Sequence, residues 1–328
     1  MKKVWITLIS ILMVFGLAAC SGKDSGEAKK KIGILQFAPH ASLDDCYNGI
    51  IKGLADKGFT KDSAVIEFVN GMGDSETNRL AAENFVSNNF DIIIAIATPS
   101  AMPSYAAAKD AGIPVVFSAV SDPVGAGLAK SLENPDTGAT GTMDNLNYDA
   151  QLAMIRAFQP DAKRIGIIYT TSEANSITQL AEYEKRAGNY GFEIVSKGIT
   201  DATEVAAGIT ALLAEGVDCI NNLTDNNVVN NFSVVTAQTE PLGIPCYGSE
   251  IQQVAEYGCV ASESLDYVAL GVSTGEMAAE ILNGKDVKSY PVTVVKDSFP
   301  CYSSSNLAKY NITLPESYKN AQDTDKGN

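Results

Sequence analysis

The chain is poor in the residues that most enzymes depend on. It contains one histidine, His40, in 328 residues. Nucleophilic catalysis usually needs an imidazole beside the nucleophile, so the candidates for such a couple are few. There are six cysteines and no C-x-x-C pair, which argues against a zinc ribbon or a thioredoxin-type motif. Apart from Cys20 they are Cys46, Cys219, Cys246, Cys259 and Cys301, an odd number. They read as small buried hydrophobes. A Cys219–Cys246 bridge stays open if their strands are neighbours. No phosphate-cradling G-x-x-x-x-G-K-[ST] occurs, and Gly71-Met72-Gly73 lacks the third glycine of a dinucleotide fingerprint. With one histidine and scattered cysteines there is no metal cluster, and no cofactor is called for. Positive charge is scarce as well. Lys and Arg number 24 against 39 Asp and Glu, a formal net charge of −15. Nucleic acid and anionic lipid surfaces are poor partners for such a chain.

Long apolar runs are absent except at the start. Met1-Lys2-Lys3 is basic, and Val4 to Leu17 is apolar apart from Thr7, Ser10 and Gly16. This is too short for a permanent span and has the anatomy of a secretory signal peptide, residues 1–19. It ends in Leu17-Ala18-Ala19-Cys20, which looks like a bacterial lipobox with Cys20 as the lipidated first residue of the mature chain. The polar stretch after it, 20–30, reads as a flexible tether.

What is present is a repeat. Ile32-Gly33-Ile34-Leu35 returns 133 residues later as Ile165-Gly166-Ile167-Ile168. Asp91-Ile92-Ile93-Ile94 leading to Thr98-Pro99-Ser100 returns 127 residues later as Asp218-Cys219-Ile220 leading to Thr224-Asp225-Asn226. Gly112-Ile113-Pro114-Val115 returns 131 residues later as Gly243-Ile244-Pro245-Cys246. One order at nearly constant offset implies two similar α/β halves, each a doubly wound parallel sheet.

Strands and helices alternate through both halves. Strands are expected at 31–37, 64–70, 91–97, 115–120, 138–143, 164–170, 191–196, 218–223, 245–249, 258–262 and 291–296. Helices are expected from Ser42 to Gly58 and at 76–89, 99–111, 175–190, 202–215, 226–239 and 266–283. Leu43, Cys46, Tyr47, Ile50, Ile51, Leu54 and Ala55 mark the expected apolar face of the first helix. The lobes are expected to comprise 31–146 plus about 264–290, and 147–263 plus about 291–319, with crossings near 144–148, 262–266 and 289–297. Residues 320–328 read as a polar tail.

Gly271-Val272-Ser273-Thr274-Gly275 matches the G-x-S-x-G nucleophile elbow. The match fails in context: it lies inside a helical pattern, and no histidine follows it. Small residues on a packed helix face explain it better. Paired carboxylates such as Asp44-Asp45 read as charges favourable to a helix N-terminus.

The remaining polar candidates sit at carboxyl ends of strands, where open α/β sheets bind ligands. They are Phe37 to His40, Thr98-Pro99-Ser100, Ser118 to Asp122 (with Val120 and Ser121), Glu173 with Asn175 and Ser176, and Thr224-Asp225-Asn226. Ser249 closes strand 245–249. Each alone is also a cap for its own helix. Together, N–H donors beside Ser100 and an acid at Asp225 suit a zwitterion, with Glu173 and Glu250 as alternative anions.

At these residues the sequence resembles the solute-binding lipoproteins of ABC transporters related to the tryptophan-binding TrpX type. The matching segments are His40-Ala41-Ser42-Leu43-Asp44, Ile96-Ala97-Thr98-Pro99-Ser100-Ala101, Val116 to Val124, Glu173-Ala174-Asn175-Ser176 and Thr224-Asp225-Asn226. The resemblance covers about Lys31 to Tyr318. It implies a type I periplasmic-binding-protein fold without catalysis. It gives Ser100, Ser118 and Val120 to the ligand's carboxylate or amino group and Asp225 to its ammonium. It implies an aromatic amino acid as ligand, with Phe37, Phe117, Tyr169 and His40 as an apolar wall, although Phe117 suits a core equally. The implied partners are the small-molecule ligand, an ABC permease and its ATPase, with the chain a monomer held to the membrane only by its lipid. A sensing module for a membrane receptor is the alternative function, and a hydrolase using Ser273 is the enzyme-class alternative.

Overall fold

The structure, a computed structural model, describes residues 28–326. The expected signal peptide, Cys20 and most of the expected tether lie outside the described residues. In chain order the first lobe is built from β1 (Lys30–Gln36), α1 (Ala41–Asp56), β2 (Ala64–Asn70), α2 (Ser75–Ser87), β3 (Ile92–Ile96), α3 (Thr98–Ala108), β4 (Val115–Ser118) and β5 (Ala139–Asp144). The second follows as α4 (Tyr148–Phe158), β6 (Arg164–Thr170), α5 (Ala174–Ala187), β7 (Glu193–Ile199), α6 (Val205–Ala214), β8 (Cys219–Asn221), α7 (Asn226–Asn230), α8 (Phe232–Thr239), β9 (Cys246–Tyr247), α9 (Ile251–Ala255) and β10 (Ala261–Ser264). The chain ends with α10 (Tyr267–Leu282), β11 (Thr293–Val295), β12 (Phe299–Tyr302), α11 (Ser304–Lys309) and β13 (Gln322–Asp323).

The first sheet runs β11-β5-β4-β3-β1-β2, with every pair parallel. Its strands read as unbroken apolar runs because both faces are covered. Ile32, Ile34, Ile92, Ile94 and Val116 enter one core, while Leu35, Ile93, Ala95, Val115 and Phe117 enter the other. The second sheet runs β7-β6-β8-β9, and a parallel bridge from Gly248 to Ser262 continues it into β10-β12-β13. The two lobes therefore share the order β2-β1-β3-β4-β5 and β7-β6-β8-β9-β10, which is the sequence repeat expressed as topology. The chain passes between them at 145–147, 265–266 and 296–298.

Several details depart from the sequence reading. β11 pairs with β5 of the first sheet, not with the second lobe. β12 runs antiparallel to β10, so the second sheet is not wholly parallel. The expected tail is partly structured: β13 pairs with β12, and the Asp325 carboxylate accepts from Ser303, Ser304 and Ser305. The short carboxylate-capped turn gave no periodic signal. α4 is not among the expected helices, yet Asn147 caps it and Leu152, Ile155 and Phe158 form its buried stripe. The expected helix 226–239 breaks at Asn231 into α7 and α8.

The G-x-S-x-G motif has a packing cause. It lies within α10, whose Gly271 and Gly275 meet Gly49 and Gly53 of α1. A Cβ on Gly271 would overlap the Cys46 carbonyl, and one on Gly49 would overlap that of Val268. The five cysteines among the described residues are free and buried, with Cys219 and Cys246 in different cores.

Candidate functional site

The carboxyl ends of the strands of both sheets meet between the lobes and enclose a cavity of about 20 Å³. That is room for about one water, far below the roughly 300–1,000 Å³ of ligand sites, so the lobes must part to admit a solute. The first lobe contributes His40 after β1, Ala97 and Thr98 after β3, Ala119 and Ser121 after β4, and Asp144 at the end of β5. Leu43 of α1 and Tyr267 of α10 add apolar surface. The second lobe contributes Asn175 after β6, Thr224 and Asn226 after β8, and Glu250 after β9.

Backbone geometry at two of these positions is unusual. Ala97 has φ +75° and Ala119 φ +55°, a region that residues with a Cβ rarely enter. Such strain persists where surrounding structure holds it, often at ligand sites. Ala97 is also the N-cap of α3 and supplies no side-chain bond to it. The partial positive charge of that helix end thus lies at the cavity wall.

Three buried polar atoms on the wall lack a hydrogen-bond partner: Thr98 Oγ1, Asp144 Oδ1 and Asn175 Oδ1. Buried polar groups are normally paired, so each needs an explanation. The wall carries two carboxylates, Asp144 and Glu250, and neither Lys nor Arg. Burial pushes the Asp144 carboxyl up to about 7, opposed in part by the neighbouring Ser121 hydroxyl. Behind the wall Glu173 is pushed well above the usual carboxylate range, first by burial and then by the Asp225 charge.

The lobes are drawn together around the cavity. The Ser42 hydroxyl donates to Gln252 Oε1 at 2.9 Å, and Gln252 Nε2 donates to Asp45 Oδ2 at 2.6 Å. Gln179 Nε2 donates to Ser121 Oγ at 3.1 Å. His40 accepts the Ser42 N–H at Nδ1, leaving Nε2 at 3.4 Å from Glu250 Oε2.

Of the residues singled out from sequence, His40, Thr98, Ser121, Asn175, Thr224, Asn226 and, as an alternative anion, Glu250 reach the wall. Others stand behind it. Ser100 donates to Asn78 Oδ1 at 2.7 Å, Ser118 accepts from Thr274, Ser249 donates to the Asn222 carbonyl, and Val120 is in a core. Pro99 occupies the first turn of α3. Asp122 borders an open hollow beside the hinge, with its carboxylate on the Gly125 N–H. The largest correction concerns Asp225. Its carboxylate already accepts from the Thr170 N–H and hydroxyl, the Ser176 hydroxyl and the Val228 N–H. It caps α7 and ties β6 to α5, so its acceptor capacity is used within the protein. Glu173 likewise accepts from Asn226 and Asn227. The expected aromatic wall is also revised. Phe37 and Phe117 are core residues and Tyr169 packs against a core, while the aromatic at the cavity is Tyr267. Asp144 and Tyr267 escaped the sequence reading. Asp144 carried the same signal as the others, a polar residue closing a buried strand.

Comparison with known proteins agrees with this architecture. Residues 31–324 match the family described as ABC transporter substrate binding protein. A tyrosine-binding protein of Clostridioides difficile (strain R20291) is 37% identical, covering 98% of both chains. The crystal structure of a Streptococcus pneumonia ABC domain in complex with L-Trp is 34% identical, with a TM-score of 0.86 over 90% of this chain and 99% of that one. The ligand-free, open structure of a Clostridium difficile substrate-binding protein with adhesive properties is 37% identical, with a TM-score of only 0.67 over 89% and 98%. The higher sequence identity goes with the poorer superposition, so the lobes stand as in the tryptophan complex and not as in the open form. Fold, repeat, cleft and sequence match together show that the chain belongs to the ABC transporter substrate-binding protein family.

Proposed function

We propose that this chain captures an α-amino acid in the interlobe cavity and hands it to a membrane permease driven by its ATPase. The observation that carries the reading is the pair of unpartnered groups on the first-lobe wall. Asp144 Oδ1 is a buried acceptor that requires a donor, as an α-ammonium provides. Thr98 Oγ1, at the uncapped N-terminus of α3, is placed to donate to an α-carboxylate. In this reading Asp144 takes the role that the sequence reading gave to Asp225. Tyrosine and tryptophan, named for the two relatives, favour an aromatic side chain, and Leu43 and Tyr267 offer it apolar surface. His40 and Glu250 complete the cage from opposite lobes. The protein works outside the cytoplasm, tethered by a lipid on Cys20.

Mass spectrometry of ligand released from purified, unrefolded protein tests the reading. An L-amino acid is expected, and calorimetry on the stripped protein should return its affinity. A released ligand without an α-amino group, or no binding by any of the twenty standard amino acids, would overturn it.

A further inference from the structure

An α-ammonium and an α-carboxylate account for Asp144 and Thr98. The third unpartnered atom, Asn175 Oδ1, stands on the opposite lobe, where either a spare N–H of the same ammonium or a donor on the ligand's side chain can meet it. Asn175 is in the first turn of α5, on the lobe opposite the other two, and is 5% exposed. Its Nδ2 donates to the Thr224 carbonyl at 3.1 Å and to Glu173 Oε2 at 3.1 Å. The carbonyl only ever accepts, and Glu173 Oε2 already accepts the Asn226 N–H at 3.1 Å and Asn226 Nδ2 at 2.7 Å. Turning the amide over would set Asn175 Oδ1 against these acceptors. Chemistry therefore fixes the amide, and with it a bare acceptor on the cavity wall. The supporting bonds hold it there before any ligand arrives, as a selective site requires.

We infer that Asn175 is a specificity-determining residue whose Oδ1 accepts a hydrogen bond from the ligand's side chain, so that the selected amino acid carries a side-chain N–H or O–H. The inference rests on the amino-acid reading above. A ligand lacking that donor leaves Asn175 Oδ1 dry and unpaired. The penalty for such an atom corresponds to a loss of about 5- to 150-fold in affinity. Sites built around a substrate hydroxyl reject the analogue without it by more than apolar pockets reject a missing methylene.

The test begins with a thermal-shift screen of the stripped wild-type protein against the twenty standard L-amino acids. It continues with calorimetry on matched pairs: L-tyrosine with L-phenylalanine, L-tryptophan with 3-benzothienyl-L-alanine, and L-lysine with L-norleucine. Within each pair one member lacks the side-chain donor. The expected result is that the tightest ligand carries a donor and exceeds its partner at least about fivefold. Asn175→Ala should bring that ratio to within about twofold, by weakening the donor-bearing ligand alone. Asn175→Leu, close in shape and without an acceptor, serves if the alanine variant fails to fold by circular dichroism. Equal binding within the pairs by the wild type, or a best ligand without a donor, would overturn the inference and leave the amino-acid reading standing. A ratio that persists in the folded variant would also overturn it, because another residue would then read the donor. No binding by any amino acid would overturn both.

Discussion

Closing the cleft without a ligand buries Asp144, and the structure gives the size of that cost. Its carboxyl is raised from 3.8 to about 7 with the lobes together, chiefly by burial. About three units at roughly 1.4 kcal/mol each amount to about 4 kcal/mol, or about 10³-fold in the closed-to-open ratio. Opened to water, the carboxyl would return to its ordinary range. The closed form binds the proton more tightly, so empty closure takes up a proton between about pH 4 and pH 7. Its relative stability is complete below about pH 4, falls as pH rises through that window, and is flat above it. Glu250, the nearest other acid on the wall, strengthens the effect, and the Tyr267 hydroxyl, 3.5 Å from Asp144 Oδ2, offers limited relief. An ammonium group replaces the proton, so loaded closure escapes the penalty. A ligand shifts such an equilibrium only by its differential affinity for the two forms, and this charge supplies much of that difference. Asp144→Asn should let the empty protein close at pH 8, read as a smaller radius of gyration in small-angle scattering. The same variant should bind the ligand more weakly by about 2–5 kcal/mol, because the ammonium loses its partner. The wild type should become more compact as pH falls from 8 to 5. Identical scattering of the empty wild type and variant at pH 8, with unchanged ligand affinity, would refute the argument.

Three further outcomes follow from other parts of the molecule. Gly271→Ala should lower the melting temperature by several degrees, since overpacking typically costs about 1–3 kcal/mol, whereas Ser273→Ala should shift stability by less than about 0.5 kcal/mol and abolish no esterase activity. Asp225→Ala should reduce stability by about 1–3 kcal/mol in urea unfolding, because it strands the donors of Thr170, Ser176 and Val228; ligand affinity of the folded variant should change less than in Asp144→Asn. Cys20→Ala should release the protein from the membrane fraction, and a variant that fractionates like the wild type would remove the lipid-anchor reading.

The repeat was legible because buried parallel strands carry their own signature. Ile92–Ile96 is apolar on both faces, and its counterpart at β8 recurs at a matching offset. The carboxyl-end rule located half of the wall, including Thr98 and Asn175. It failed where it depended on which way a polar side chain turns. Asp225 and Ser100 occupy the expected loops, yet both bond inward, Asp225 to β6 and Ser100 to Asn78. A single sequence does not reveal that competition, because Asp225 looks the same as a cap or as a ligand contact. β11 went to the wrong lobe for a related reason: a three-residue strand carries too little pattern to choose a sheet. Phe117 suited either a wall or a core, and the core took it because β4 is central in its sheet.

The glycine contact between α1 and α10 has a consequence for how ligand preference can change. With Gly49, Gly53, Gly271 and Gly275 at the seam, the two backbones touch without side chains between them. Nothing in that seam can repack, so the helices behave as a single jaw carrying Leu43 and Tyr267. Its shape is set by main chain and is insensitive to the rotamers around it. The opposing jaw presents Asn175, Thr224, Asn226 and Glu250 from loop ends, where a substitution alters chemistry without disturbing a helix seam. A library that retunes this receptor for a new solute therefore belongs on the second lobe, with the first left as the anvil against which each ligand is gripped.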